Sequence, residues 1–396
     1  MQAQLVFLEM AVYHHPLIED GPLFSVVNEQ RVTADQQQDL RHLFGRVWAN
    51  RAVALTGRNA SGKTLTMKLI LGTLKLLLNR QSIAQTHLPE VLLGEQSIQL
   101  DVYFYGTDQR LFLDRLVLAP DLDQPQAWII RSEQIFVKKA TSGLSRKTLF
   151  DFKQAKTLLD RQNLEASALS LLAPDDSILR SLIVERNYRV QPIYDNLMFT
   201  DINLVAYGSN EVPSALLTYL DPTIDYLRIE RNQSGQAFYR LKFKESDHEI
   251  TDSNFATIEY YLSSGTAKAV TLFQYVQQAL KTGGIIFIDE LENHFNLAIV
   301  RAFISFFTDV NANPHQATLI FSTHYADLLD DLARGDQIYL VRRQSKISAA
   351  RYSTIADRQD LNRAEVVMSD YLGGTAPNYQ AYLDLREKMK QGHQNE

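Results

Sequence analysis

The eight residues Gly57-Arg58-Asn59-Ala60-Ser61-Gly62-Lys63-Thr64 constrain this chain more than any other stretch. They fit G-x-x-x-x-G-K-[ST] in full, with a short apolar strand at 52–56 running in and a helix running out. The glycines let backbone N–H groups turn toward phosphate oxygens, and the helix N-terminus adds a favourable dipole. Lys63 is placed to reach the β- and γ-phosphates, and the Thr64 hydroxyl to ligate Mg²⁺. Gly57, Asn59, Ala60, Ser61, Gly62, Lys63 and Thr64 together form the expected cradle. The plain alternative, a glycine turn before a helix, is weakened by the strand–loop–helix context. A nucleoside triphosphate with magnesium is the expected ligand, and an α/β P-loop NTPase the expected fold class.

Ile285-Ile286-Phe287-Ile288-Asp289-Glu290 is an apolar strand ending in two carboxylates. In an open α/β sheet such a strand delivers both to the edge where ligands sit. Asp289 is expected to hold Mg²⁺, directly or through water, and Glu290 to orient and deprotonate the attacking water. Upstream, Leu262-Ser263-Ser264-Gly265-Thr266 opens a helix with Val270, Phe273, Val276 and Leu280 on one face. Such a start reads either as an ordinary serine cap or as a second anion-binding end. Leu319-Ile320-Phe321-Ser322-Thr323-His324 is another short strand. Its histidine reads as structural or, in this order of motifs, as a γ-phosphate sensor.

P-loop, SSGT, IIFIDE and STH in that order resemble the ABC-class ATPases, and within them the overcoming-lysogenization-defect and abortive-infection branch. That branch reads SSGT, here Ser263 to Thr266, where transporters read LSGGQ. It follows the carboxylate strand with E-N, here Glu292-Asn293, and Tyr371-Leu372-Gly373-Gly374 is similar to its C-terminal segment. Asn296-Leu297 stands where the branch often has His-Pro. The resemblance implies an ABC-ATPase head and a homodimer, with higher oligomers left open, in which two heads sandwich two ATP molecules. Ser264 and Gly265 would then serve the partner's nucleotide, with Asn293 or His294 near the seam. Lys63, Glu290 and His324 would act in catalysis. A glutamine linking Mg²⁺ to the helical region is implied too, with Gln96 and Gln99 as candidates.

Residues 1–140 read as the N-terminal part of the head, carrying the P-loop and a β-rich lobe with strands near 3–11, 22–28, 98–105, 111–118 and 127–138. Residues 141–222, broken by Pro174, Pro192 and Pro213, read as a mainly helical insertion without heptads. From 223 to 396 a hairpin at 226–244 is followed by alternating short strands and helices, completing the head. The residues after His324 are too few for a TOPRIM nuclease domain. The ATPase is therefore expected to act through a separately encoded effector protein, a nuclease or a toxin.

The absence of cysteine excludes disulfides, thiolate metal sites and cysteine nucleophiles. A net charge of −6 gives no global basic field. Locally, Arg131, Lys138, Lys139, Arg146, Lys147, Lys153, Lys156 and Arg161 outnumber Glu133, Asp151 and Asp160. That stretch reads as a solvated helix face or as a contact for nucleic acid, which stays open as a partner. Glu9 interrupts the apolar N-terminal run, and no apolar stretch is long enough for a membrane span, so a cytoplasmic protein without a membrane partner is expected. The leading expectation is an ATP-hydrolysing dimeric switch of prokaryotic anti-phage defence. The alternative is an SMC-type ATPase of DNA repair or recombination. A transporter motor is disfavoured by SSGT, and a GTPase by the lack of N-K-x-D.

Overall fold

The computed structural model describes residues 2–124, 126–164, 172–197, 211–231, 235–293, 295–356, 361–375 and 379–392. Its first sheet runs in the order Ile193–Asn196, Ile285–Ile288, Thr318–Ser322, Ala52–Thr56, Ile338–Arg343 and Ile347–Arg351. The first five strands are parallel and the last is antiparallel. Short apolar runs without polar alternation form such strands because both faces of the sheet are covered. Val53, Leu55, Phe287 and Ile320 point to one core, shared with the P-loop helix Lys63–Leu78. Their neighbours Ala52, Ala54, Ile286 and Phe321 point to the other, against helices Ser264–Thr282 and Leu297–Thr308. This is an α/β P-loop ATPase architecture.

The β-rich lobe is a second, mostly antiparallel sheet built on Gln4–Tyr13, Ile98–Gly106, Arg110–Pro120 and Trp128–Lys139. Its inner face joins the core of the P-loop helix, so that helix is sandwiched between two sheets. The sequence periodicity predicts one apolar face, Met67, Ile70, Leu71, Leu74 and Leu78. The structure buries Leu69, Leu76 and Leu77 as well, because the helix has no solvent-facing side along most of its length. A small sheet of Ile224–Arg231, Ala237–Phe243 and Glu249–Asp252 packs against Ala267 and Val270, near the start of the helix Ser264–Thr282.

Residues 141–222 differ from the expected helical insertion. Among the described residues, Lys156–Asp160 extends the β-lobe beside Trp128–Lys139, Arg189–Val190 pairs with the first strand, and Ile193–Asn196 forms an edge of the ATPase sheet. The helices there, Arg146–Leu149, Leu179–Glu185 and Ser214–Leu220, are short. The segment stitches the two sheets together. Strands of two to five residues are too brief to display a period of two. Residues 165–171 and 198–210 of this segment lie outside the described residues. Among the described residues no helix is long and apolar enough to cross a membrane.

Three carboxyls inside the β-lobe side of the molecule make stability depend on pH. Burial pushes Glu9 up to about 7, against the opposing pull of Arg351 and the Ser25 hydroxyl. Burial also lifts Glu133 to about 7, although it accepts hydrogen bonds from the Ser177 hydroxyl and, at 2.9 Å, the Ile178 amide. Asp114, with no hydrogen-bond partner on either oxygen, is pushed well above the usual carboxylate range by burial and then by Glu133. From about 4.5 to about 7 the folded chain therefore holds protons that the unfolded chain has released. The stabilisation is full below the lower value and is lost as pH rises through the upper one, by on the order of 3 kcal/mol per group at most. The melting temperature is expected to fall between pH 5.5 and pH 8. In Glu9→Gln that fall should be shallower by on the order of a few degrees. An equally steep fall in thermal melts of the variant would show that Glu9 ionises normally in the fold.

Candidate nucleotide site

The strand Ala52–Thr56 is buried throughout and ends where its neighbours leave a crevice. At Gly57 the backbone has φ +149°, and a Cβ there would lie 2.2 Å from the Val341 carbonyl oxygen. Gly62, at φ +102°, backs onto Ile347, whose Cδ1 would lie 2.5 Å from an added Cβ. These two close approaches fold the loop onto the sheet edge, so glycine is required at both ends. The helix Lys63–Leu78 starts at Gly62 with no side-chain cap, which leaves its first amides available to an anion. Asn59 and Ala60 are exposed, and the buried Ser61 hydroxyl has no partner. Lys63 Nζ curls over the loop and donates to the carbonyls of Gly57 at 3.0 Å and Arg58 at 3.3 Å. Burial lowers the Lys63 pKa, with Asp289 and Glu290 opposing.

The acidic edge meets this loop. The Thr64 hydroxyl donates to Asp289 Oδ2 at 2.6 Å, which brings together two groups of the type that hold Mg²⁺. Asp289 Oδ1 accepts from the Ser322 hydroxyl, and the Ser322 oxygen accepts from the Glu290 amide at 2.7 Å. Ser322 ends the strand between the P-loop strand and the carboxylate strand, so one hydroxyl fixes both acids. Glu290 sits at φ +47°, a left-handed conformation that costs a non-glycine residue about 1 kcal/mol or more. The Ser322 bond and a hydrogen bond from Asn293 Nδ2 to its carboxylate hold it there. His324 Nε2 lies 3.6 Å from Glu290 Oε1, while the His324 amide donates to the buried Glu292. A cleft of about 800 Å³ runs from Thr56–Ala60 and His324 to Arg343, Gln344, Val367 and Met368 opposite.

These residues fit a magnesium nucleotide. Free amides and an ammonium face the phosphate position, and a hydroxyl–carboxylate pair converges beside them. Thr64 and Asp289 would hold the ion, which neutralises charge on phosphate oxygens when bound. Glu290, turned out of the strand line, would be the acceptor for a water proton.

Other expected residues fall elsewhere. Ser263 is a helix cap, accepting from the Thr266 amide at 2.9 Å, which leaves Ser264 exposed in the first turn with Gly265. Neither Ser264 nor Gly265 lines the cleft of its own chain. The glutamine candidates do not reach the cleft either: Gln99 donates to Asp101 at 2.9 Å inside the β-lobe, and Gln96 lines a recess with His14, His15 and Lys346. His294 lies outside the described residues. Asn296, in place of His-Pro, caps the next helix by accepting from the Ile299 amide at 3.0 Å. The basic stretch is not one helix face; it runs along a strand, the short helix Arg146–Leu149 and a second strand. Two of its cations are internal: Arg161 donates to the carbonyls of Asp176 and Ala173, and Lys138 to those of Thr148 and Asp151. The bridging role of Ser322 went unassigned in the sequence, where its only signal is a hydroxyl two places before the histidine. The far wall, Arg343 to Met368, gave none.

Among curated proteins, none matches the sequence. Among solved structures, the recombination mediator protein RecF with ATP, of the RecFOR pathway, aligns with 88% of this chain and 100% of its own. Its identity is 9% and the TM-score 0.37. The family model described as "AAA domain, putative AbiEii toxin, Type IV TA system" matches residues 52–330. That span takes in the P-loop, the carboxylate strand and His324, and the chain belongs to this family of P-loop ATPases.

Proposed function

We propose that the chain is the ATP-hydrolysing switch subunit of a prokaryotic anti-phage defence system, working as a dimer that controls a separately encoded effector. The observation that carries this reading is the division of the site. Gly57 to Ala60 and His324 line one cleft, with Asp289 bonded to Thr64 of the loop and Glu290 beside His324, while the exposed Ser264 and the half-buried Gly265 line no part of it. A second copy would supply them to the γ-phosphate and complete the site. Lys63 would shift from the loop carbonyls to phosphate oxygens, and Glu290 would take the proton of the attacking water as it bonds to the γ-phosphorus. ADP and phosphate would then leave and the heads part. The family description, which names a toxin and a toxin–antitoxin system, supports a setting in which such a switch restrains or releases an effector. So does the SSGT and E-N resemblance to the abortive-infection branch.

Affinity purification of Glu290→Gln from its own host tests this. A protein recovered in stoichiometric amount, released when Lys63→Ala is used instead, is the expected result. Nucleic acid without any partner protein would replace this reading with the SMC-type repair ATPase.

A further inference from the structure

The hairpin Leu40–Phe44 and Val47–Asn50 lies away from the nucleotide cleft and touches the loop at 142–145, where a Cβ on Gly45 would stand 3.0 Å from the Ser142 carbonyl oxygen. Between hairpin and loop opens a recess of about 1010 Å³. Arg31, Arg46 and Arg146 reach its wall from three separate segments, and no carboxylate lines it. In a chain of net charge −6 that is a pronounced local bias. All three guanidiniums are exposed, and among the described residues none is engaged in an ion pair or side-chain hydrogen bond. Of the nearby acids, Asp35 and Asp39 flank Gln37 without lining the recess, and Glu29 and Asp336 are already occupied. Glu29 accepts from the Ser353 and Thr354 hydroxyls, each at 2.8 Å. Asp336 takes Arg334 at 2.7 Å and the amides of Glu29 and Gln30. Trp48 also lines the recess, half-buried, with its ring 4.5 Å from that of His42. An adjoining recess shares Asn28 and Arg146 and adds Lys147 and Arg351, but Glu9 and Glu29 line it too, so the carboxylate-free wall is confined to the first recess.

We infer that this recess binds single-stranded nucleic acid, through phosphate contacts to Arg31, Arg46 and Arg146 and base stacking on Trp48. Guanidinium groups match phosphate oxygens in planar, bidentate geometry and have no internal partner to give up. An indole in a charged groove offers a stacking platform for any base. A concave wall favours splayed single strands, since a duplex keeps its base faces stacked inside. The inference stands apart from the effector reading: the recess shares no residue with the nucleotide cleft, and its failure would leave that site untouched.

The test is fluorescence anisotropy of labelled oligo-dT and oligo-rU of about 20 nucleotides, and of a duplex of the same length, against the full chain over a salt series. Single strands should bind in preference to the duplex. The combined variant Arg31→Gln, Arg46→Gln, Arg146→Gln should bind them about 10-fold or more weakly. Its slope of log affinity against log salt should be shallower by about 2, from ~0.7 per lost phosphate contact. ATP turnover and melting temperature should stay unchanged in that variant. The chain has two tryptophans, and Trp128 is buried, so oligo-dT should quench the emission of Trp48 and Trp48→Phe should remove the quenching. The inference is overturned by no binding at low salt, by an unchanged slope in the triple variant, or by preferred duplex binding without quenching.

Discussion

Glu290→Gln is expected to bind ATP as tightly as the wild type and to hydrolyse it on the order of 10²–10⁴-fold more slowly, the contribution typical of a positioned general base. The substitution is nearly isosteric and leaves the backbone alone. The Glu290 amide can still donate to Ser322, and the left-handed turn at φ +47° is retained. Asp289 keeps its bonds from Thr64 and Ser322, so the groups expected to hold the ion are undisturbed. Only the capacity to accept a proton is lost. Phosphate release and nucleotide binding should therefore separate cleanly when measured on one preparation. With hydrolysis blocked, light scattering should find the dimer accumulating in ATP and dispersing in ADP. Turnover within a few-fold of the wild type would remove Glu290 from the role of base, and His324, 3.6 Å away, would become the candidate.

What could be read in the sequence is what lies contiguous along it. The P-loop is eight consecutive residues, four of them of a type the motif fixes, and the carboxylate strand ends directly in Asp289-Glu290. Neither needs tertiary contacts to be recognised. The far wall of the cleft is the opposite case. Arg343 and Gln344 sit on a strand turn and Val367 and Met368 on a short helix, more than 280 positions from Thr56 in the chain, and none is of a type that marks a ligand wall. Ser322 was in view, but its bridging of Asp289 and Glu290 depends on sheet order, with Thr318–Ser322 inserted between the two motif strands. Sheet order is a long-range property. The same limit explains residues 141–222: Arg189–Val190 and Ile193–Asn196 are strands because two existing sheet edges accept them, not because of their own pattern. The P-loop helix shows the converse. Its apolar residues exceed one face, and that excess is the trace in sequence of a helix covered by two sheets.

Lys63→Ala is expected to abolish measurable nucleotide binding, an affinity loss of about 100-fold or more, while leaving the fold intact. Hydrogen bonds from a charged donor contribute about 1.5–3 kcal/mol each, and the Lys63 ammonium is already held over this loop by the Gly57 and Arg58 carbonyls. Two effects on the fold oppose each other. Removing Lys63 costs its bonds to the Gly57 and Arg58 carbonyls, but it also relieves a buried charge, and the lowered pKa of the group shows that burial disfavours it. In nucleotide-free buffer the melting temperature should therefore move little. In the wild type, ATP at about 100 times its dissociation constant adds ~2.7 kcal/mol of stability, and that rise should vanish in the variant. Lys63→Arg should behave the same way, since a planar fork cannot take the place of a point charge over the loop. An ATP-dependent rise preserved in Lys63→Ala would mean that the phosphates are held elsewhere than Gly57–Thr64. A lowered melting temperature without nucleotide would instead show that the lysine's bonds to the loop carbonyls hold the loop's shape, and its contribution to binding would then have to be measured with Lys63→Met, whose stem preserves the packing.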